Sequence, residues 1–233
     1  MVKLFRWKVD YRKSYSQTGE DVIADFIFRA VRIKKISYLD IGAHDPARGS
    51  NTYYFYKKGC RGVNIEPNPF LFKRLASKRR RDINLNAGVA AKEGVLDFYF
   101  LASGIKDADT LNTFSKKTAE RYESYGNKKV KEVLKIKVLN INNIMREYFN
   151  PKPNFVSLDV EGMEVEILES FDFLNFQPEV FCIETIVYAE DNSEFKETKI
   201  IDFMKSKGYM VFADTYINTI FVDERVWRGR PLR

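Results

Sequence analysis

Two cysteines, Cys60 and Cys182, are all that the 233 residues contain. Each sits among apolar neighbours and neither belongs to a CxxC spacing, which argues against a zinc ribbon or a disulfide framework and for free core thiols in a reducing compartment. Long apolar runs are missing too. No segment approaches the ~18 residues of a membrane span, and the longest candidate, VFCIETIVYA, is interrupted by Glu184. The start of the chain, MVKLFRWKVDYRKS, is basic but lacks the apolar core and cleavage site of a signal peptide, so a cytoplasmic protein is expected. Two readings of this arm stay open: a solvated tail, or peripheral contact with a membrane surface through Phe5 and Trp7. Neither GxGxxG nor GxxxxGK[ST] occurs, which argues against a dinucleotide pyrophosphate and a P-loop.

What is present is positive charge, +7 net with a pI near 9.2. That favours anionic partners (nucleic acid, phosphorylated substrates, lipid surfaces) without choosing among them. Apolar content of 45% suffices for a sizeable core.

The segment SYSQTGEDVIADFIFRAV has helical period, with Ser16 or Thr18 expected as its cap. KISYLDIG, RGVNIE and INLNAGVA read as strands separated by the helices SNTYYFYKKG and PNPFLFKRLASKRR. VLDFYFLA and VLKIKVLN alternate as strands around a polar, basic insertion at about 104–130. FVSLDVEG and EVFCIETIVYA read as buried strands, SEFKETKIIDFMKSKG as a helix, and YMVFAD with NTIFVDE as a closing hairpin. The order predicts one α/β domain over 36–233, a mostly parallel sheet with an antiparallel C-terminal edge hairpin, preceded by a basic arm and helix over 1–35 that pack on it.

Ligands on such sheets bind beyond the carboxyl ends of the strands. There the first strand carries Asp40, Gly42 and Ala43, and the second ends on Glu66, placed to accept the hydroxyls of an adenosine ribose. One tight glycine, a flanking acid and no anion cradle suit an adenosine cofactor without phosphates, and S-adenosylmethionine fits. The plainer alternative makes Gly42 a turn and Glu66 a helix cap.

The strings SYSQTGED, YLDIGAHDP…SNTYYFYKKGCRGVNIEPNP, LNAGVAAKEGVLDFYF and FVSLDVEGMEVEIL, from about Ser14 to Asp223, together resemble the FkbM-type methyltransferases. The resemblance implies a Rossmann-like class I methyltransferase fold with a seven-stranded sheet. It also implies S-adenosylmethionine as cofactor and transfer to a hydroxyl oxygen. His44 and Pro46 stand where the family usually has Asn and a further Gly, and Ser157 where it often has Lys. By similarity Asp40, Gly42 and Ala43 line the methionine end of the cofactor. Glu66 takes the ribose, Pro67 and Asn68 flank the adenine, and Asn86 and Ala87 meet its edge. Gln17 and Glu20 are cofactor or substrate contacts, or else plain capping residues.

Asp159 and Glu161, two apart at a strand end, point the same way. They could hold a sugar hydroxyl, take its proton or bind a divalent cation together with Glu184. Alternatively Asp159 anchors the cofactor's amino group and Glu161 caps the next helix. Glu184 in a buried strand needs a partner and is expected in the same cleft as a substrate contact. His44, the sole histidine, is either a third candidate base or structural. Eight Lys or Arg against three acids between Lys116 and Lys137 mark a substrate cover or a solvated insertion. The expected acceptor is a saccharide: a glycan, nucleotide sugar or lipid-linked sugar, in polysaccharide or secondary-metabolite biosynthesis. No specific nucleic-acid partner is expected; an RNA methyltransferase and a non-catalytic relative of the same fold are the rivals.

Overall fold

The structure, a computed structural model, describes residues 12–102, 112–126, 128–189 and 192–231. Most of the basic arm, with Phe5 and Trp7, lies outside these, as do residues 103–111 of the insertion. The chain runs α1 (Glu20–Ala30), β1 (Ser37–Ile41), α2 (Tyr53–Lys57), β2 (Arg61–Ile65), α3 (Pro69–Lys78), β3 (Ile83–Leu85), β4 (Gly88–Ala90) and β5 (Gly94–Ala102). Then come α4 (Lys116–Ser124), β6 (Lys129–Asn140), α5 (Ile141–Tyr148), β7 (Phe155–Leu158), α6 (Glu164–Ser170) and β8 (Val180–Glu184). It closes with β9 (Ile186–Val187), β10 (Phe195–Lys196), α7 (Thr198–Ser206), β11 (Tyr209–Asp214), β12 (Asn218–Asp223) and α8 (Glu224–Arg228).

The expected sheet forms, seven strands in the order β11-β12-β8-β7-β1-β2-β3. Side chains alternate across it, which is why the central strands read as continuous apolar runs. Leu39, Ile41, Val63, Ile65, Val156 and Leu158 join the core under α5, α6 and α7. Tyr38, Phe155, Val180 and Cys182 face the other core, with Ala24, Ile27 and Phe28 of α1 and Phe55 of α2.

The tertiary arrangement departs from the local reading at several points. INLNAGVA is two strands: β3 extends the main sheet, while β4 leaves it to pair with β6 in a separate three-stranded sheet, β4-β6-β5. EVFCIETIVYA breaks after Glu184, and β9 pairs with β10 instead, so SEFKE is strand and turn and the helix begins at Thr198. In the closing hairpin the last strand, β12, lies inside against β8 and β11 takes the edge. Neither Ser16 nor Thr18 caps α1; Gly19 does, with φ 101°, while the Ser16 hydroxyl accepts its N–H at 3.1 Å.

Candidate active site

Beyond the carboxyl ends of β1, β2, β7 and β8 lies a cavity of about 730 Å³. Its first wall is the turn after β1. Gly42 has φ 80°, and a Cβ there would stand 1.8 Å from the carbonyl oxygen of Asp159. The glycine is therefore required twice, for its backbone angle and for the approach of two strand ends. Gly42→Ala is expected to cost at least about 3 kcal/mol in chemical denaturation, because neither backbone can yield without breaking sheet pairing.

Glu66, 4% exposed, is the clasp of this turn. One carboxylate oxygen accepts the N–H of His44 and the other that of Asn68, both at 2.8 Å. Burial pushes its pKa up to about 7, against the pull of those two bonds and with a push from Asp40 and Asp159. Asp40 is buried and accepts the Thr52 hydroxyl at 2.6 Å. Thr52 in turn accepts from Arg79 at 2.9 Å. Arg79 is wholly enclosed, ion-paired with Asp82 at 2.8 Å and bonded to the Tyr38 hydroxyl at 3.0 Å. An arginine inside the run KRRRD reads as surface charge; here it is the strut that fixes the Asp40 carboxylate.

The neighbouring wall is acidic too. Asp159 directly follows β7 and Glu184 ends the adjacent β8, and their carboxyls hydrogen-bond to each other. Burial, then the charge of Glu164, pushes Asp159 up to about 7. Glu184 is held well above the ordinary carboxylate range by burial and by Asp159 and Glu161. Both carboxyls are thus harder to ionise than ordinary carboxylates. Glu161, at φ 57°, accepts the Tyr122 hydroxyl at 2.6 Å. Glu164 folds back to accept the N–H groups of Val160 and Gly162 at 2.9 and 3.0 Å. It is Glu164, rather than Glu161, whose oxygens come within 4.8 Å of those of Asp159 and Glu184 in an arrangement able to hold a metal ion.

Asp40, Gly42, Ala43, His44, Glu66, Pro67, Ala87, Asp159, Glu161, Glu184 and Gln17 line the cavity. Glu20, Asn68 and Asn86 do not line it. Glu20 is buried behind it; burial would raise its pKa, but bonds from Thr18 and Thr215 hold it at about 2. Asn68 caps α3, accepting from Phe70 and Leu71. The Asn86 side chain donates to the carbonyls of Glu66 and Pro67 at 2.9 and 3.0 Å, bracing the loop from outside. The ionic neighbours of His44 are Asp45, Arg74 and Arg48, and burial lowers its pKa. Among the eight cations of the basic stretch, Lys128 lines the cavity, packed over the rings of Tyr122 and Tyr188. Asn51, which the motif reading passed over, donates to Ser157 at 3.1 Å and lines the cavity, while its buried carbonyl oxygen has no partner within the protein.

The domain profile described as Methyltransferase FkbM domain matches residues 40–211, most of the chain. The chain belongs to the FkbM methyltransferase family. No curated protein sequence matches this FkbM methyltransferase significantly. Among solved structures it is distantly similar to a TehB-like SAM-dependent methyltransferase from Corynebacterium glutamicum (9% identity, 88% of this chain and 87% of that one, TM-score 0.43). It is similar at the same distance to the precorrin-6y C5,15-methyltransferase of Geobacter metallireducens (14%, 91% of each chain, 0.40). A third is the 1,6-didemethyltoxoflavin-N1-methyltransferase of Burkholderia thailandensis (12%, 92% and 91%, 0.36).

As an FkbM methyltransferase the protein is an enzyme that uses S-adenosylmethionine. The cavity suits that group. The partnerless Asn51 oxygen is an acceptor for an ammonium, since buried polar atoms otherwise find partners. Although the chain is basic overall, carboxyl groups lining the cavity (Asp40, Asp45, Glu66, Asp159, Glu161, Glu184 and Glu194) outnumber its two cations, Arg48 and Lys128, which favours a sulfonium cation. Leu71, Ala87, Val89 and Phe98 add apolar lining to the same cavity. Among the described residues no helix is long and apolar enough to cross a membrane.

Proposed function

We propose that this enzyme methylates a hydroxyl of a saccharide (a glycan, a nucleotide sugar or a lipid-linked sugar), with Asp159 as the base. The observation that carries the reading is the hydrogen-bonded carboxyl pair Asp159–Glu184 set beside Asp40 and Glu66 in one cavity. When bound, the cofactor supplies an activated methyl on sulfur. Asp40, Asn51 and Glu66 would hold it, and the protein's remaining task is to bring an oxygen into line. Asp159 takes the proton of the attacking hydroxyl, while Glu184 keeps its own and hydrogen-bonds the Asp159 carboxylate. A base of this kind is worth about 10²–10⁴ in rate. Glu161, steadied by Tyr122, accepts a neighbouring hydroxyl. Tyr188 and Tyr216, 37% and 60% exposed among the lining residues, offer ring faces to a pyranose. The free thiols Cys60 and Cys182 suit a cytoplasmic reaction.

The test is transfer of a labelled methyl group to a panel of free oligosaccharides, nucleotide sugars, lipid-linked sugars and total RNA, with and without added divalent cation. Label in a saccharide fraction, lost in Asp159→Asn, is expected. Label in RNA, or in amine-bearing acceptors alone, would sink the saccharide reading while leaving the methyltransferase intact.

A further inference from the structure

The cavity occupies the carboxyl-end edge of the sheet; a cluster of cations lies at the other edge, where β1, β2 and β3 begin. Three stretches there, 29–35, 57–61 and 78–81, hold ten exposed lysines and arginines and not one acid. Strand register makes them neighbours. Arg61 pairs with Ser37, two residues beyond Lys35. Val63 pairs with Ile83, so the turn that carries Arg80 and Arg81 leads into β3 beside the start of β2. Arg81 also donates to the carbonyl of Tyr56 in α2. Beside them the buried Asp25 is shared by Arg12, Arg29 and Lys58 at 2.8, 3.0 and 2.6 Å, one carboxylate for three cations. Like charges crowded this way raise the energy of the free protein, and an anionic surface relieves it.

We propose that this edge docks on an anionic lipid surface, so that the cavity opens toward the aqueous side. Two observations favour lipid over nucleic acid. A polymer held on this edge is not delivered to a cavity at the opposite edge, whereas a membrane contact requires no delivery. The residues preceding Arg12, which lie outside the described ones, carry Phe5 and Trp7 among Lys3, Arg6 and Lys8, the composition of an interfacial anchor. The docking is non-specific electrostatics over several basic side chains and therefore weakens as salt rises.

The experiment is co-sedimentation of the full chain with vesicles of phosphatidylcholine alone and with phosphatidylcholine and phosphatidylglycerol in equal parts. A triple variant, Lys35→Gln, Lys57→Gln, Arg80→Gln, and an unstructured RNA as competitor complete it. Expected is binding to the anionic vesicles alone, reversed by salt and weakened about fivefold per cation removed, on the order of a hundredfold for the triple variant. Unchanged S-adenosylhomocysteine binding by that variant shows that it is folded and that the cavity is untouched. Equal binding to neutral vesicles, no binding to either, or wild-type binding by the variant would overturn the proposal. So would RNA captured by this edge at lower concentration than lipid.

Discussion

Affinity for S-adenosylhomocysteine is expected to fall about a hundredfold when Glu66 becomes alanine, read by calorimetric titration. Each oxygen of this carboxylate already accepts one backbone N–H, at 2.8 Å, and keeps lone pairs that can take a ribose hydroxyl. Hydrogen bonds to a charged group are worth about 1.5–3 kcal/mol each, and alanine removes them while also stranding two N–H groups. Glu66→Gln separates these roles. Its amide offers a single acceptor oxygen and sets donors against the second N–H, so a loss of about tenfold is expected. Because burial and the charges of Asp40 and Asp159 push Glu66 up to about 7, the carboxylate form recedes as pH falls below that value. Wild-type cofactor affinity should weaken over the same range. Full affinity in the alanine variant would mean that the ribose is held elsewhere.

Asp159→Asn should lower kcat by about 10²–10⁴ with cofactor affinity changed far less. In the wild type kcat should drop as pH falls through about 7, where Asp159 takes up its proton and ceases to be a base. Glu184→Gln preserves a donor to Asp159 and should keep most of the activity, which a purely electrostatic role for the pair would not. Stability runs the other way. Carboxyls raised on folding bind more protons in the native than in the unfolded state between the ordinary carboxylate range and about pH 7. Stability is therefore full below that window and declines as pH rises through it. Glu184→Gln relieves part of the repulsion and should raise Tm most above neutrality. A melting temperature that climbs from pH 5 to 8 in the wild type would contradict this.

The strand ends were legible because the signals are local. Asp40, Gly42, Glu66, Asp159 and Glu184 each follow an apolar run of strand length, and the carboxyl edge of a parallel sheet brings such ends together. Glu20, Asn68 and Asn86 share that neighbourhood in sequence but turn their side chains to Thr215, the start of α3 and the loop carbonyls. The difference is one of side-chain direction, which no motif encodes. Asn51, Thr52 and Arg79 went unread for the converse reason, since polar residues in a loop or a basic run look solvated until the sheet encloses them.

By itself, then, the chain's pattern of apolar runs, glycines and strand-end acids determined a parallel α/β domain, its order of elements and the two walls of its cavity. These depend on period and on backbone angles, which are properties of neighbours in sequence. Only the tertiary structure decided that β4 leaves the main sheet for β6, that β12 enters it between β8 and β11, and that the carboxyls of Asp159 and Glu184 bond to each other. It alone gathered the scattered cations on the edge away from the cavity. Those outcomes rest on strand register and burial between residues far apart in the chain, where pairing energy and desolvation act and local preference does not.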